Sequence, residues 1–356
     1  MGVGKLRHRV VALAIGALAG LLALGCSGSG PASTAAAPAG QASAAATPAP
    51  QPAALIKARS AFTTTSASST PWWIAKEAGY FEEQGLDVDQ VHVDAGATLL
   101  AAMRNGELDI TGGGGPSMVL GNLQGLETMI IGVNVNVLEG AVYVRPEIQT
   151  VEDLRGKTIG VNRIKAITDV NARLGLQRLG LTPDVDFTTR GTGGQAEALA
   201  AMETGATDGA SLNVPAVFEA RKRGYREIVN IGELKIPFIT AGISATKRLL
   251  AERPELPDPY LRALAQAKNR IHTDRDYAIQ ILAKYTLSDD REILGATVDA
   301  YRPLFAVDSY PEREAVQNVL DLEENPAART ARPEDVSDTR YAERLRASGF
   351  LATLPK

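Results

Sequence analysis

Four stretches carry residue types that could hold a small molecule. Thr63-Thr64-Thr65-Ser66-Ala67-Ser68-Ser69-Thr70 runs into Pro71-Trp72-Trp73, with Thr70 placed to cap a helix and Pro71 at its first position. Hydroxyls and free N–H groups gathered at a helix start favour an anion. Trp72 and Trp73 are neighbours on that helix and point in different directions, so at most one faces a shared cavity. Gly112 to Gly115 would let a ligand approach the backbone, and Pro116 and Ser117 open the next helix. No Gly-Lys-Ser or Gly-Lys-Thr follows, which excludes a P-loop. Asn162, Arg163 and Thr168 follow one strand and Asn213 another; the Arg163 guanidinium could fork onto a carboxylate or sulfonate. The candidate ligand-binding set is therefore Ser69, Thr70, Trp72, Trp73, Gly113, Gly114, Ser117, Asn162, Arg163, Thr168 and Asn213. Each has a plain alternative: a turn of hydroxyls with both Trp residues in the core, glycines serving a tight turn, and a solvated loop arginine.

Catalytic and metal chemistry find little support. Cys26 is the only cysteine, so the rest of the chain has no disulfide, thiol nucleophile or cysteine zinc site. His8, His92 and His272 lack metal-ligand spacing, and no cofactor motif is present. Gly191-Thr192-Gly193-Gly194 lacks the dinucleotide-binding spacing, and Arg155-Gly156-Lys157 reads as a surface turn. We expect no catalytic residues, no metal, no cofactor and no enzymatic activity.

The amino end reads as an export signal over residues 1–25. Lys5, Arg7 and Arg9 precede an uncharged run from Val10 to Leu24, too short to span a bilayer comfortably. The run ends Ala23-Leu24-Gly25-Cys26, similar to the lipobox in which the cysteine is acylated, although Leu24 is larger than the residue usual there. An ordinary signal peptide is the alternative. Loss of three cations and no acid on cleavage takes the formal charge from −4 to −7, and with no basic stripe a nucleic-acid partner is not expected. Residues 26–55 are an Ala/Pro/Ser linker, uncharged from Ser27 to Ala54, that cannot bury a core and spans on the order of 30 Å as a coil.

The remaining chain alternates strands and helices and contains a repeat. Ala101, Ala102, Met103, Gly106 and Asp109 recur in order and spacing as Ala200, Ala201, Met202, Gly205 and Asp208. Each copy is a helical run, a glycine suited to end it, an Asp and a short strand leading to a loop and a Pro. Asp109 and Asp208 stand in equivalent units, which suits turn stabilisation better than an acid/base pair. Two such α/β series predict two lobes facing a crevice. A helical tail follows near Lys247–Glu252, Pro259–His272, Asp276–Tyr285, Arg291–Tyr301 and Pro311–Glu323. Residues 56–145 and 244–356 are assigned to lobe 1 and 146–243 to lobe 2, with crossings near Val144–Ile148 and Ile239–Ser244.

Residues 71–88, the two repeat units and Val151-Glu-Asp-Leu-Arg-Gly-Lys-Thr-Ile-Gly-Val161 together resemble the solute-binding proteins of ABC importers, of the nitrate, sulfonate, taurine and thiamine-pyrimidine type. The resemblance runs from residue 57 to about 285 and implies an α/β, two-lobed periplasmic-binding-protein type II fold with a hinge of two crossovers. It implies that the loop after the first strand touches ligand, which favours Ser69, Thr70 and Trp72. The expected role is capture of a small organic anion or compact polar solute between the lobes and delivery to a permease and its ATPase. The protein would be an extracytoplasmic monomer, anchored to a membrane through Cys26. The alternatives are a sensory solute receptor and a thiamine-pyrimidine synthase-like enzyme; the latter carries a cysteine-rich motif that this chain lacks.

Overall fold

The computed structural model describes residues 54–63, 65–93 and 96–356; the expected export signal, Cys26 and nearly all of the linker lie outside them. In the first α/β series β1 (Ile56–Phe62), α1 (Thr70–Glu77), α2 (Tyr80–Glu83), β2 (Leu86–His92), α3 (Gly96–Arg104), β3 (Ile110–Gly113), α4 (Gly115–Gly121) and β4 (Thr128–Val137) follow one another. The second comprises β5 (Ala141–Val144), β6 (Lys157–Val161), α5 (Ile167–Arg178), β7 (Phe187–Gly191), α6 (Gln195–Glu203), β8 (Gly209–Leu212), α7 (Ala216–Lys222) and β9 (Arg226–Asn230). Then come β10 (Pro237–Thr246) and the helices α8 (Lys247–Glu252), α9 (Pro257–Thr273), α10 (Arg275–Thr286), α11 (Arg291–Tyr301), α12 (Arg313–Leu322), α13 (Pro333–Val336) and α14 (Arg340–Ala347). The strands form two five-stranded sheets, in the orders β2-β1-β3-β10-β4 and β7-β6-β8-β5-β9. We call each sheet with its helices a lobe.

The sequence repeat is a structural one. α3 ends at Gly106 with φ +70° and α6 at Gly205 with φ +73°, and the Asp that follows each does the same job. Asp109 accepts the Arg59 backbone N–H at 2.7 Å and returns its own N–H to the Arg59 carbonyl at 2.8 Å. Asp208 accepts the Thr158 N–H at 2.9 Å and returns its N–H to the Thr158 carbonyl at 2.8 Å. In this way each Asp docks the entry of an inner strand, β3 or β8, onto its parallel neighbour, β1 or β6. A cation braces each carboxylate, Arg59 at 2.9 Å and Arg145 at 3.0 Å.

The pairing moves both crossings from their expected positions. β5, assigned above to lobe 1, pairs with β8 and β9; β10, assigned mostly to lobe 2, pairs with β3 and β4. The crossings are therefore Leu138–Gly140 and 231–236. The first joins strand directly to strand and the second through a single 3-10 turn, Gly232–Leu234, so no α-helix marks either crossing. The two run side by side: Leu138 N–H donates to the Ile236 carbonyl at 3.0 Å, and Ile231 N–H to the Gly140 carbonyl at 2.9 Å. With Val137 opposite Pro237 and Ala141 opposite Asn230, they form an antiparallel ribbon continuous from one sheet into the other.

The tail packs back on the first lobe. α9 lies against α1, α2 and β4, α10 against α1, and α12 against α4 and β10. Tyr260 of α9 meets Phe81 with ring centres 5.0 Å apart and bonds Ser60 of β1 at 2.6 Å. Two exposed ion pairs join lobe 2 to the tail, Lys222–Asp290 at 2.7 Å and Lys165–Glu324 at 2.6 Å. Beyond the five tail helices expected, α13 and α14 follow, and the helix that Pro71 opens stops at Glu77, with α2 a separate short helix.

Asp109→Ala leaves a backbone N–H without its acceptor in a buried setting and should cost about 2–3 kcal/mol in urea unfolding. Asp208→Ala, at a more exposed site, should cost about 1–2 kcal/mol. Equal, near-zero effects would mean that these carboxylates do not hold the inner strands.

Candidate functional site

The carboxyl ends of the inner strands of both sheets open on one cleft of about 810 Å³. Its lobe 1 wall is made by Thr63, Thr65, Ser66, Ser68, Ser69 and Trp72 from the β1–α1 connection, with Gly112–Gly114, Pro116 and Ser117 from the β3–α4 turn and Thr240 and Ala241 from β10. The lobe 2 wall is made by Asn162–Ile167 between β6 and α5, Gly193 and Gln195 before and within α6, and Asn213–Pro215 between β8 and α7. Glu139, on the first crossover, closes the cleft at the ribbon. A cavity of this size fits a small solute, and hydroxyls, amides and three charges make it polar.

The loops are fixed from behind. Gln195 Oε1 accepts the Asn213 N–H at 2.7 Å. Asn171 Nδ2 donates both to Asn213 Oδ1 at 3.0 Å and to the Glu139 carbonyl at 2.6 Å, which ties the crossover to lobe 2. Gly140 follows with φ +92°, and a side chain there would run into the Leu212 carbonyl and the Asn213 amide. Only glycine fits that close approach. On the other wall the Trp72 ring lies over Gly112, where a Cβ would come within 2.6 Å of ring carbon Cε2.

The family model described as NMT1/THI5 like matches residues 66–278, a span that holds both sheets' cleft loops and the ribbon. The chain belongs to the NMT1/THI5-like family. Among curated proteins no sequence matches it. Solved structures similar to this NMT1/THI5-like protein include the alkanesulfonate-binding protein SsuA from Xanthomonas axonopodis pv. citri bound to MOPS, with 20% identity and TM-score 0.63, covering 81% of this chain and 100% of that one. The periplasmic nitrate-binding protein NrtA from Synechocystis PCC 6803 has 14% identity and TM-score 0.66, covering 83% and 89%. The Candida albicans CA3427 gene product, described as having the generic periplasmic binding protein fold, has 16% identity and TM-score 0.62, covering 80% and 97%. At these identities the likeness is one of fold, two α/β lobes with C-terminal helices.

Of the residues singled out in the NMT1/THI5-like sequence, Ser69, Trp72, Gly113, Gly114, Ser117, Asn162, Arg163 and Asn213 line the cleft. Thr70, Trp73 and Thr168 do not. Thr70 is buried as the first residue of α1, and its hydroxyl donates to the Ala67 carbonyl at 2.7 Å instead of capping the helix. Trp73 is fully buried, stacked on Tyr285 at 4.7 Å with Phe62 edge-on at 5.9 Å. Thr168 is buried and accepts the Asn162 N–H at 2.9 Å, so it shapes the loop without facing the cavity. The start of α5 is also less open than expected, because the buried Asp169 carboxylate accepts the Lys165 N–H at 2.7 Å and pairs with Arg173 at 2.9 Å. Arg163 is exposed and pairs with no carboxylate among the described residues. Within those residues no cluster of His, Cys, Asp and Glu could hold a metal, and no helix is long and apolar enough to cross a membrane.

Sequence reasoning missed Glu139, along with Lys165, Gln195 and Thr240 of the cleft walls. Glu139 is 3% exposed, and its Oε2 has no hydrogen-bond partner. Burial pushes its carboxyl from the ordinary 4.5 up to about 7, offset in part by the Tyr301 hydroxyl, which lies near but outside hydrogen-bond geometry. Tyr301 is itself driven well above its usual range, first by burial and then by the charge of Glu139. A signal existed: Glu139 is the only charged residue between Thr128 and Val144.

The carboxyl is protonated more readily folded than unfolded, so its stabilising contribution is present below pH 4.5 and is lost as pH rises to about 7. At about 1.4 kcal/mol per pH unit the charged form costs on the order of 3 kcal/mol above pH 7. Glu139→Gln should therefore gain stability over wild type progressively between pH 4.5 and 7 and keep up to about 3 kcal/mol of gain at pH 8. Thermal unfolding of both proteins across that range checks it; a difference independent of pH would show that the carboxyl is not buried as described.

Proposed function

We propose that this protein is the extracytoplasmic solute-binding component of an ABC importer, taking a small solute with an anionic group into the cleft and presenting it to a membrane permease. The observation that carries this reading is the position of the cleft: loops from the strand ends of two sheets face each other across it, and only a two-stranded ribbon joins those sheets directly. Sheets so joined can rotate about the ribbon and enclose what lies between them. Proteins of similar fold that bind alkanesulfonate and nitrate support the solute class.

Within the cleft, the exposed Arg163 guanidinium, which pairs with no carboxylate among the described residues, is the natural partner of a sulfonate or carboxylate. The protein's net charge opposes an anion, but salt screens that field over about 8 Å, so the local cation decides. Trp72, almost fully buried over Gly112, shapes the cleft floor from behind and leaves little ring surface for the solute. In this reading Cys26 is the lipid-bearing first residue after cleavage, the uncharged linker spaces the lobes from the membrane, and the receptor acts as a monomer without enzymatic activity.

A titration of alkanesulfonates, carboxylates, nitrate and pyrimidines, read by calorimetry and small-angle scattering, tests the receptor. Saturating binding of an anion should reduce the radius of gyration, and Arg163→Ala should weaken that ligand at least tenfold. Tight binding of cations or neutral sugars alone would overturn the assignment. For the anchor, Cys26→Ser should move the protein from the membrane to the soluble fraction of the native host. Identical soluble fractionation of wild type and variant would remove the tether from the proposal.

A further inference from the structure

Three other tyrosine hydroxyls of this fold have partners: Tyr143 donates to Glu227 at 2.6 Å, Tyr260 bonds Ser60 at 2.6 Å and Tyr285 donates to Glu77 at 2.9 Å. Tyr301 of α11 is as buried as they are, and its hydroxyl has no partner among the described residues. Beside it lies the Glu139 carboxyl, equally buried, whose Oε2 also lacks a partner. A donor and an acceptor, each orphaned and each next to the other, need only a small displacement to join. Left open in a buried setting, such a pair costs more than the same pair bonded.

The two groups belong to parts that the ribbon separates. The Glu139 backbone goes with lobe 2: its carbonyl accepts from Asn171 Nδ2 at 2.6 Å, and Gly140 after it sits against the Leu212 carbonyl and the Asn213 amide. Tyr301 goes with lobe 1, because α11 packs on α10 and on the Ala67–Ser69 turn, and the Tyr301 ring meets Phe305, which bridges to Val135 of β4. A turn of lobe 2 about the ribbon therefore carries Glu139 past a stationary hydroxyl. Burial and each other set the charge of the pair. The cations that share the cleft with Glu139 are Arg163, exposed, and Lys165, held by Glu324 at 2.6 Å. On α11 itself Asp299 is turned to Arg275 at 2.8 Å and to Arg302 at 3.9 Å. Lys268 of α9, which burial pulls down to about 7, points at the Val133 carbonyl and Ser309, with Asp308 the charge that bears on it.

We propose that Glu139 and Tyr301 form a proton-sensitive latch across the hinge: the ionised carboxylate draws the Tyr301 hydroxyl into a bond that holds the ribbon to the tail, and protonation lets the ribbon go. This rests on the reading that the lobes turn about the ribbon. A hydroxyl bonds a carboxylate about twice as strongly as it bonds a neutral acceptor, so ionisation favours the joined arrangement. By linkage the joined arrangement favours ionisation to the same degree. Because burial raises the carboxyl to about 7, the latch is made above neutral pH and released below it. Tyr301 does not line the cleft, so it acts on the solute only by positioning the hinge.

Spin labels test this without any ligand. Arg104→Cys and Val185→Cys, at exposed positions of lobe 1 and lobe 2, are introduced into the Cys26→Ser chain, and the distance between the two labels is followed from about pH 5 to about pH 9. The parent should change its interlobe distance over a single protonation centred near pH 7. Glu139→Gln should hold one distance throughout. Tyr301→Phe should do the same, yet its carboxyl should go on titrating in thermal unfolding, at a higher pH than in the parent, because the hydroxyl that lowers it is gone. A tyrosine that only fills space would alter stability and leave the distance profile intact. The parent measurement needs neither variant to fold, and circular dichroism checks both. A parent distance that ignores pH overturns the latch, and so does a profile that survives either substitution, which would pass the effect to Lys268. If the parent ignores pH while a saturating anion still compacts the protein in the scattering experiment above, the latch falls and the receptor reading stands; if neither moves the lobes, both fall.

Discussion

The two-stranded ribbon is the constraint on which the rest of the structure depends. Its hydrogen bonds, Leu138 to Ile236 and Ile231 to Gly140, continue the β4–β10 pairing of one sheet into the β5–β9 pairing of the other. These two backbone bonds carry the pairing across the junction, so the chain passes between sheets as a paired ribbon and not as two separate loops. The geometry also sets where the cleft can be. With β4 and β10 leaving one sheet together, the inner strands β1, β3, β6 and β8 direct their carboxyl ends, and the loops after them, toward the space beside the ribbon.

That space is built from parts of unequal rigidity. Trp72 on Gly112, and Asn171 bridging Glu139 and Asn213, are packed or bonded against backbone. Arg163 and its neighbours sit on an exposed loop whose fixed point is the Asn162–Thr168 bond. The buried wall therefore sets shape, and the exposed loop supplies an adaptable charge. Polarity is divided in the same way, with the acid in the stiff crossing and the cation on the loop.

The fold was legible because its chemistry repeats. A helix closed by glycine, then an Asp that docks the next strand, leaves the same trace at Gly106–Asp109 and Gly205–Asp208, and the structure gives both the same hydrogen bonds. The cleft loops were legible for a related reason, since strand ends followed by Pro or Asn mark them. What could not be read was which side of a helix a residue would face. Trp72 and Trp73 are both buried, and only the first borders the cleft, over Gly112, while the second is stacked on Tyr285. Thr70 and Thr168 look like ligand hydroxyls and are spent on local backbone. Glu139 lies in a crossing of three residues with no α-helix to mark it, which is also why the lobe boundaries differ from the expected ones by several residues.

The pairs Lys222–Asp290 and Lys165–Glu324 reach from lobe 2 to the tail that is packed on lobe 1. All four side chains are more than one-third exposed, so each contact contributes about 0–1 kcal/mol and weakens as ions screen it. They hold the mouth as a catch holds a door, loosely, and they do so by a force that dissolved electrolyte dilutes. Any swing of the lobes must part or re-form them, which makes its resting angle sensitive to ionic strength.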